Sequence, residues 1–212
     1  SLYEWNVGEG YIDNIGSVAD NSLIGYWHGD GNALDYSGQE NNGTFNGDAN
    51  ALEGGIFNNA FDFDGANDYV NIGSGSSLDN YWDDGKTLSF WLYLETQIED
   101  YPRLFSKSDS TGNSGEEWSI IYNAVSDQLQ LEMHWSSTKG FWYTNLPQKD
   151  EWTHIVIYYN SSSVSYDPEI YFNRVPQTIT ETFSPSGTRP DDSSKDLLIG
   201  IVDSLIHDFK GK

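Results

Sequence analysis

The chain has no cysteine, a single methionine, and only 10 basic residues against 33 acidic ones. Without cysteine no disulfide can staple the fold, so stability has to come from a packed core. A eukaryotic secreted domain would more often carry a bridge, whereas bacterial, archaeal and viral surface proteins commonly do without one. The shortage of basic residues leaves a formal net charge of −23. That balance excludes nucleic acid as a partner, because phosphates need a positive surface, and it disfavours anionic membranes. No apolar run approaches the length needed to span a bilayer, so no membrane insertion is expected. Long amphipathic helical patterns are missing as well.

What the sequence has instead is aromatic residues, 15% of the total, and 21 glycines. Aromatic and β-branched side chains suit pleated, half-buried surfaces, and glycine supplies turns with positive φ. Short apolar-aromatic runs alternate with Gly/Asn/Asp/Ser clusters along the whole chain, the pattern of an all-β sandwich. Strands are expected at Ser22–Trp27, Thr44–Phe45, Ala60–Phe63, Tyr69–Ile72, Lys86–Leu94, Arg103–Lys107, Glu117–Asn123, Gln128–Trp135, Gly140–Asn145, Thr153–Asn160, Glu169–Phe172, Leu197–Ile201 and Asp208–Phe209. Two of them alternate cleanly. Leu88, Phe90, Leu92 and Leu94 stand against Ser89, Trp91 and Tyr93, and Leu129, Leu131, Met133 and Trp135 stand against Gln128, Gln130, Glu132 and His134. In each, one set faces a core and the other faces away. Asp30-Gly31-Asn32, Asp64-Gly65 and Asp84-Gly85 read as turns, and Ser184–Lys195, with Pro185 and Pro190, reads as a loop.

Taken in order, several blocks resemble the laminin-G-like, concanavalin A-like lectin family. They are Tyr26-Trp27-His28-Gly29-Asp30-Gly31-Asn32 running on to Asn41-Asn42-Gly43-Thr44, then Ala60-Phe61-Asp62-Phe63-Asp64-Gly65 with Asp68-Tyr69-Val70, then Leu88–Leu94. Glu151-Trp152-Thr153-His154, Ile170-Tyr171-Phe172-Asn173 and Phe209-Lys210-Gly211-Lys212 follow at matching spacing, although Arg174 replaces the family's usual glycine. The resemblance covers about Leu23 to Lys212. It implies an all-β, two-sheet antiparallel β-sandwich of the jelly-roll type over residues 21–212, preceded by a segment 1–20. The family's final strand would begin where Lys212 stands, and Gly10–Ile15 looks like that strand. Three explanations stay open: a strand left from a preceding repeat, closure of the sheet by residues 10–15, or a strand lying outside this chain. Closure by 10–15 is favoured.

The resemblance also implies a calcium ion at the opening loop. Calcium takes six to eight oxygen ligands, and Asp30, Asn32 and Asn42 offer carboxylate and amide oxygens there, with Asp13 standing in for an acid of the closing strand. The ion's role would be structural. The competing reading is that Asp and Asn make turns by bonding their own backbone. The four scattered histidines form no zinc-ligand spacing.

A glycan or polysaccharide is the expected ligand. Sugars lay apolar faces on aromatic rings and bond their hydroxyls to planar polar side chains. Trp118 and Trp152 match family positions that pack in the core. The candidates for sugar contact are Trp82, Trp91, Trp135, Trp142 and Tyr143, with Glu132, His134 and Arg103 as polar partners. Against catalysis, Glu116-Glu117 has no carboxylate partner at strand spacing, and Glu132 with His134 is a weak acid–base pair; retaining hydrolysis needs two carboxyl groups about 5 Å apart. The sequence therefore points to an extracellular, cell-surface or virion-surface carbohydrate-binding or adhesion module. The alternatives are a structural repeat that meets neighbouring repeats or another protein, and a polysaccharide-degrading enzyme on the same fold.

Overall fold

The computed structural model describes residues 22–52, 54–97, 99–108, 116–202 and 207–212. The segment 10–15, with Asp13, lies outside them. Fourteen strands and one short 3-10 turn at Ser76–Leu78 make up the described structure.

The larger sheet has eight antiparallel strands: β1 (Thr44–Asn46), β3 (Tyr69–Gly73), β13 (Asp196–Ile199), β5 (Arg103–Ser108), β6 (Glu116–Asn123), β7 (Gln128–Met133), β8 (Gly140–Asn145) and β12 (Thr180–Phe183), in that spatial order. The smaller sheet runs β11 (Val175–Pro176), β10 (Glu169–Phe172), β9 (Trp152–Tyr159) and β4 (Lys86–Tyr93). It is prolonged at one corner. β14 (Lys210–Gly211) pairs with β2 (Phe63–Asp64) on one side, and on the other Gly211 bridges Leu94. The fold is an all-β antiparallel sandwich, as the alternating patterns require.

Each alternation resolves as pleat geometry demands. Leu129, Leu131 and Met133 of β7 point into the core with Trp118, Ile120 and Tyr122 of β6. Ile155, Ile157 and Tyr159 of β9 meet them from the other sheet. Gly43 is placed by close approach: a Cβ there would lie 2.7 Å from Val70 and 2.8 Å from Ile72. Ile121, Leu198, Ile201 and Val202 are buried outside the main core. The Ser106 hydroxyl donates to the Ile201 carbonyl at 2.8 Å, which ties the chain after β13 to the large sheet.

Three expectations need correction. Ser22–Trp27 is not a strand; among the described residues its one ladder contact is the Trp27–Asp35 bridge. β12 and β11 were not expected, because edge strands as exposed as these carry no apolar alternation. Trp152 is turned outward beside Tyr93, with ring centroids 5.6 Å apart, while Thr153 and Ile155 take the core side.

Candidate functional site

Opposed residues on neighbouring strands share a face. The ladder of the large sheet therefore lays out one row across its outer side: Thr44, Asn71, Leu198, Ser106, Ser119, Glu132, Phe141 and Phe183. A second row, on the same face, holds Arg103, Ile121, Gln130, Tyr143 and Thr180. Over β13 and β5 the face is sealed by the returning chain. Over β6, β7, β8 and β12 it carries polar and aromatic groups together.

Glu132 is the centre of that part. Its Oε1 accepts a hydrogen bond from His134 Nε2 at 2.9 Å and from Lys139 Nζ at 2.8 Å. His134 reaches it because residues two apart on a strand lie on one face. Lys139 comes from the β7–β8 turn, and its Nζ also stands 5.6 Å from the centre of the Phe141 ring. Burial pushes the Glu132 carboxyl up, but the hydrogen bonds and charges of His134 and Lys139 outweigh it and hold the group below the ordinary carboxylate range. The half-exposed rings of Phe141 and Tyr143 stand on the same face as Glu132.

Glu117 is the neighbour that sequence spacing did not reveal. His134 N–H donates to the Glu117 carbonyl at 2.9 Å, which sets Glu117 opposite His134 and diagonal to Glu132 across the β6–β7 ladder. Its carboxyl is pushed up by burial, against the pull of Arg189, Lys195 and His134. A search along one strand could not find this pair, because the partners belong to two strands.

Beneath the site lies a buried ionic support. Lys107 Nζ pairs with Asp192 Oδ1 at 2.9 Å, both side chains almost wholly buried, and also donates to the Leu78 carbonyl. Asn80 N–H donates to the same Asp192 oxygen at 2.7 Å. Arg189 donates to the carbonyls of His134 and Glu117. The loop Ser184–Lys195 thus grips the backbone that aims His134 and Glu117.

The expected contact residues separate into different places. Glu132, His134 and Tyr143 come together on the outer face of the large sheet. Arg103 lies on that face two strands away from β7, its guanidinium donating to the Tyr101 carbonyl at 2.7 Å. Trp135 is half-buried at the end of β7 and packs against the core. Trp91, 38% exposed, stands on the outer face of the small sheet, 5.1 Å from the His154 ring. Trp82 and Trp142 are 0% exposed, which corrects the expectation that they face a ligand. Alternation along β8 sets Trp142 on the side opposite Phe141 and Tyr143, and it is the tryptophan that faces inward, over Gly140 and against Tyr159 at 5.2 Å. Its Nε1 donates to Asp167 at 2.8 Å. Trp82 comes from a polar turn, yet it drops between Tyr81, Trp118 and Tyr159. No periodicity signals that packing.

At the opening loop, Asp30 Oδ1 accepts the Asn59 N–H at 3.0 Å, Asn32 Oδ1 the Leu34 N–H at 2.9 Å, and Asn42 Oδ1 the Asp35 N–H at 2.9 Å. Among the described residues no three acidic or histidine side chains gather around a common point. As placed, these oxygens serve the turns. Asp13, the fourth expected ligand, lies outside the described residues.

The profile of the concanavalin A-like lectin/glucanases superfamily matches residues 64–212, and the chain belongs to that family. No curated protein matches the chain. Among solved structures, the binding domain of Paraclostridial Mosquitocidal Protein 1 superposes with a TM-score of 0.63 at 15% identity, over 88% of this chain and 46% of that one. The botulinum neurotoxin serotype D binding domain superposes with a TM-score of 0.55 at 14% identity, over 81% and 40% respectively. At these identities the likeness is one of fold, and this chain spans less than half the length of either structure.

Proposed function

We propose that this chain is an extracellular, non-catalytic carbohydrate-binding module whose glycan site is the outer face of the large sheet around Glu132. The observation that carries the reading is one of placement: Phe141 and Tyr143 offer ring surface on the same face where His134 and Lys139, both held by the buried Glu132 carboxylate, offer hydrogen bonds. A sugar needs both at once, stacking for its C–H face and planar polar groups for its hydroxyls. The family and the fold it shares with two binding domains support a binding role. A glycan array probed with the whole chain tests it. Saturable binding that Tyr143→Ala removes and Trp91→Ala leaves intact supports the site. Well-folded protein that binds no glycan, or binding lost only with Trp91→Ala, rejects it.

One observation favours catalysis as a second reading. Glu117 and Glu132 are diagonal neighbours whose surroundings push their carboxyl groups in opposite directions, the relation expected of an acid and a base. In the non-catalytic reading the pair only shapes the face. Incubation with the bound polysaccharide decides between them: reducing ends released by the wild type and not by Glu117→Gln make the module an enzyme.

Calcium at the opening loop is proposed with Asp30 as its carboxylate ligand. Its test is thermal melting in calcium and in chelator. A rise in Tm with calcium that Asp30→Ala abolishes supports the ion, and identical melting in both conditions rejects it.

A further inference from the structure

Lys107 stands where pleat geometry calls for an apolar side chain. It shares the core face of β5 with Phe105, and its ladder neighbours are Leu197 on β13 and Trp118 on β6. Its side chain is 1% exposed and that of Asp192 is 0% exposed. The Nζ lies 2.9 Å from Asp192 Oδ1 and also donates to the Leu78 carbonyl. A buried ion pair forfeits the hydration of both partners, and replacing such a pair by uncharged groups is often neutral or stabilising. Stability alone is therefore a weak reason for a lysine and an aspartate to be sealed in contact here.

The contact holds the two reactants of an amide condensation. Groups fixed against each other react as one molecule, without the entropic cost of an encounter. A lysine taken out of water serves as a nucleophile, because burial favours the uncharged amine. Oδ1 accepts the Asn80 N–H at 2.7 Å, a donor aimed at the oxygen that gathers negative charge when Nζ attacks Cγ. Among the described residues the enclosed Oδ2 accepts no hydrogen bond, and the Arg189 guanidinium stands 3.9 Å from it. Oδ1 is thus the oxygen held in place, and Oδ2 the oxygen free to leave.

We propose that Lys107 and Asp192 are joined in the folded protein by an intramolecular amide that forms without enzyme or cofactor. The Nζ–Cγ bond forms and the Cγ–Oδ2 bond breaks. Two protons of the ammonium leave with Oδ2 as water, and both charges disappear together. No oxidant, reductant or other reactant enters. The closed interior keeps water from reversing the step. The link ties β5 to the loop Ser184–Lys195, whose Arg189 grips the carbonyls of His134 and Glu117. In a chain without cysteine it supplies the covalent staple that a disulfide cannot. The inference is independent of any glycan.

Mass spectrometry of the whole chain, denatured after prolonged incubation in the folded state, tests it. The expected mass is one water below that of the sequence. Trypsin is expected to leave Lys107 uncut and to release the peptides holding Lys107 and Asp192 as one linked species. Lys107→Arg keeps a positive charge beside Asp192, but the guanidinium stays charged and forms no amide, so its mass should be full. A wild type of full mass overturns the proposal and leaves the contact an ion pair, a result that needs no variant to fold. So does a water loss that Lys107→Arg retains, which assigns it to an aspartate closing on its own backbone, as at Asp30-Gly31 or Asp64-Gly65.

Discussion

The two sheets turn different chemistry outward. The outer face of the large sheet holds a carboxylate, an imidazole, an ammonium, an amide and two rings within a few strand spacings, with Ser119, Gln130 and Glu132 nearly sealed between their neighbours. The outer face of the small sheet is aromatic and open: Trp91 lies against His154, Tyr93 against Trp152, and Tyr158 is exposed. Its polar links are the Ser89 hydroxyl on His154 Nε2 at 2.8 Å and the Tyr171 hydroxyl donating to the Glu169 carboxylate at 2.6 Å. The first face has hydrogen-bonding groups held in fixed directions by one another, which is what orients a polar ligand. The second has rings with fewer such groups. Aromatic content alone would have chosen the second face; the combination of rings and oriented polar groups chooses the first.

The largest expected effect comes from residues that belong to neither face. Trp142→Ala removes a fully buried ring and should cost about 3–5 kcal/mol, read as a shift of the urea midpoint. Glycan affinity of the fraction still folded should stay within about twofold, because the ring turns away from the ligand face. Asp192→Ala strands Lys107 in the interior and should destabilise by about 3–5 kcal/mol as well. Unlike Trp142→Ala it should also weaken binding, since the loop that grips His134 and Glu117 loses its anchor. A binding loss in the tryptophan variant equal to that in the aspartate variant would erase the distinction between core and support.

Next in size is the ligand face itself. Tyr143→Ala and Glu132→Ala should each weaken glycan binding by about tenfold or more, on the order of 1.4 kcal/mol, measured by calorimetry, while Trp91→Ala changes it by less than about twofold. The reverse ranking would transfer the site to the small sheet. Smaller still is the acid response. The folded-state pKa of Glu132 lies below its unfolded value, so its contribution to stability is complete above the unfolded carboxylate range and is lost as pH falls through the folded value. Glu117, raised by burial, acts in the opposite sense. Glu132→Gln should therefore flatten the rise of stability with pH between about pH 3 and 5, and Glu117→Gln should steepen it. Melting curves across that window that are the same for both variants would show that the two carboxyl groups share one environment.

Much of the sandwich was legible before any coordinate. Period-two alternation placed Leu129, Leu131 and Met133 opposite Glu132 and His134. Alternation names two faces without saying which is inside, so Trp142 was assigned to the wrong one. Trp82 was misread for a different reason: a turn residue has no period, and its burial depends on the rings of Trp118 and Tyr159, distant in sequence. The Glu117–Glu132 relation joins two strands and depends on their register, which no single run of residues contains. The later family blocks fall on β2, β3, β4, β9, β10 and β14, while the opening block's Ser22–Trp27 is not a strand, and the core position carried over for Trp152 failed because β9 presents Thr153 and Ile155 inward instead.

The amino-acid sequence by itself determined the class of structure, because alternation, turn residues and the lack of cysteine leave an all-β core as the means of burying so many aromatics. It also fixed the net charge of −23, because charge is a sum over residues and needs no fold. Only the tertiary structure decided which rings are core and which are surface, and that Glu132, His134, Lys139, Phe141 and Tyr143 meet on one face. Strand register and the stacking of two sheets set those neighbours, and both depend on residues far apart along the chain.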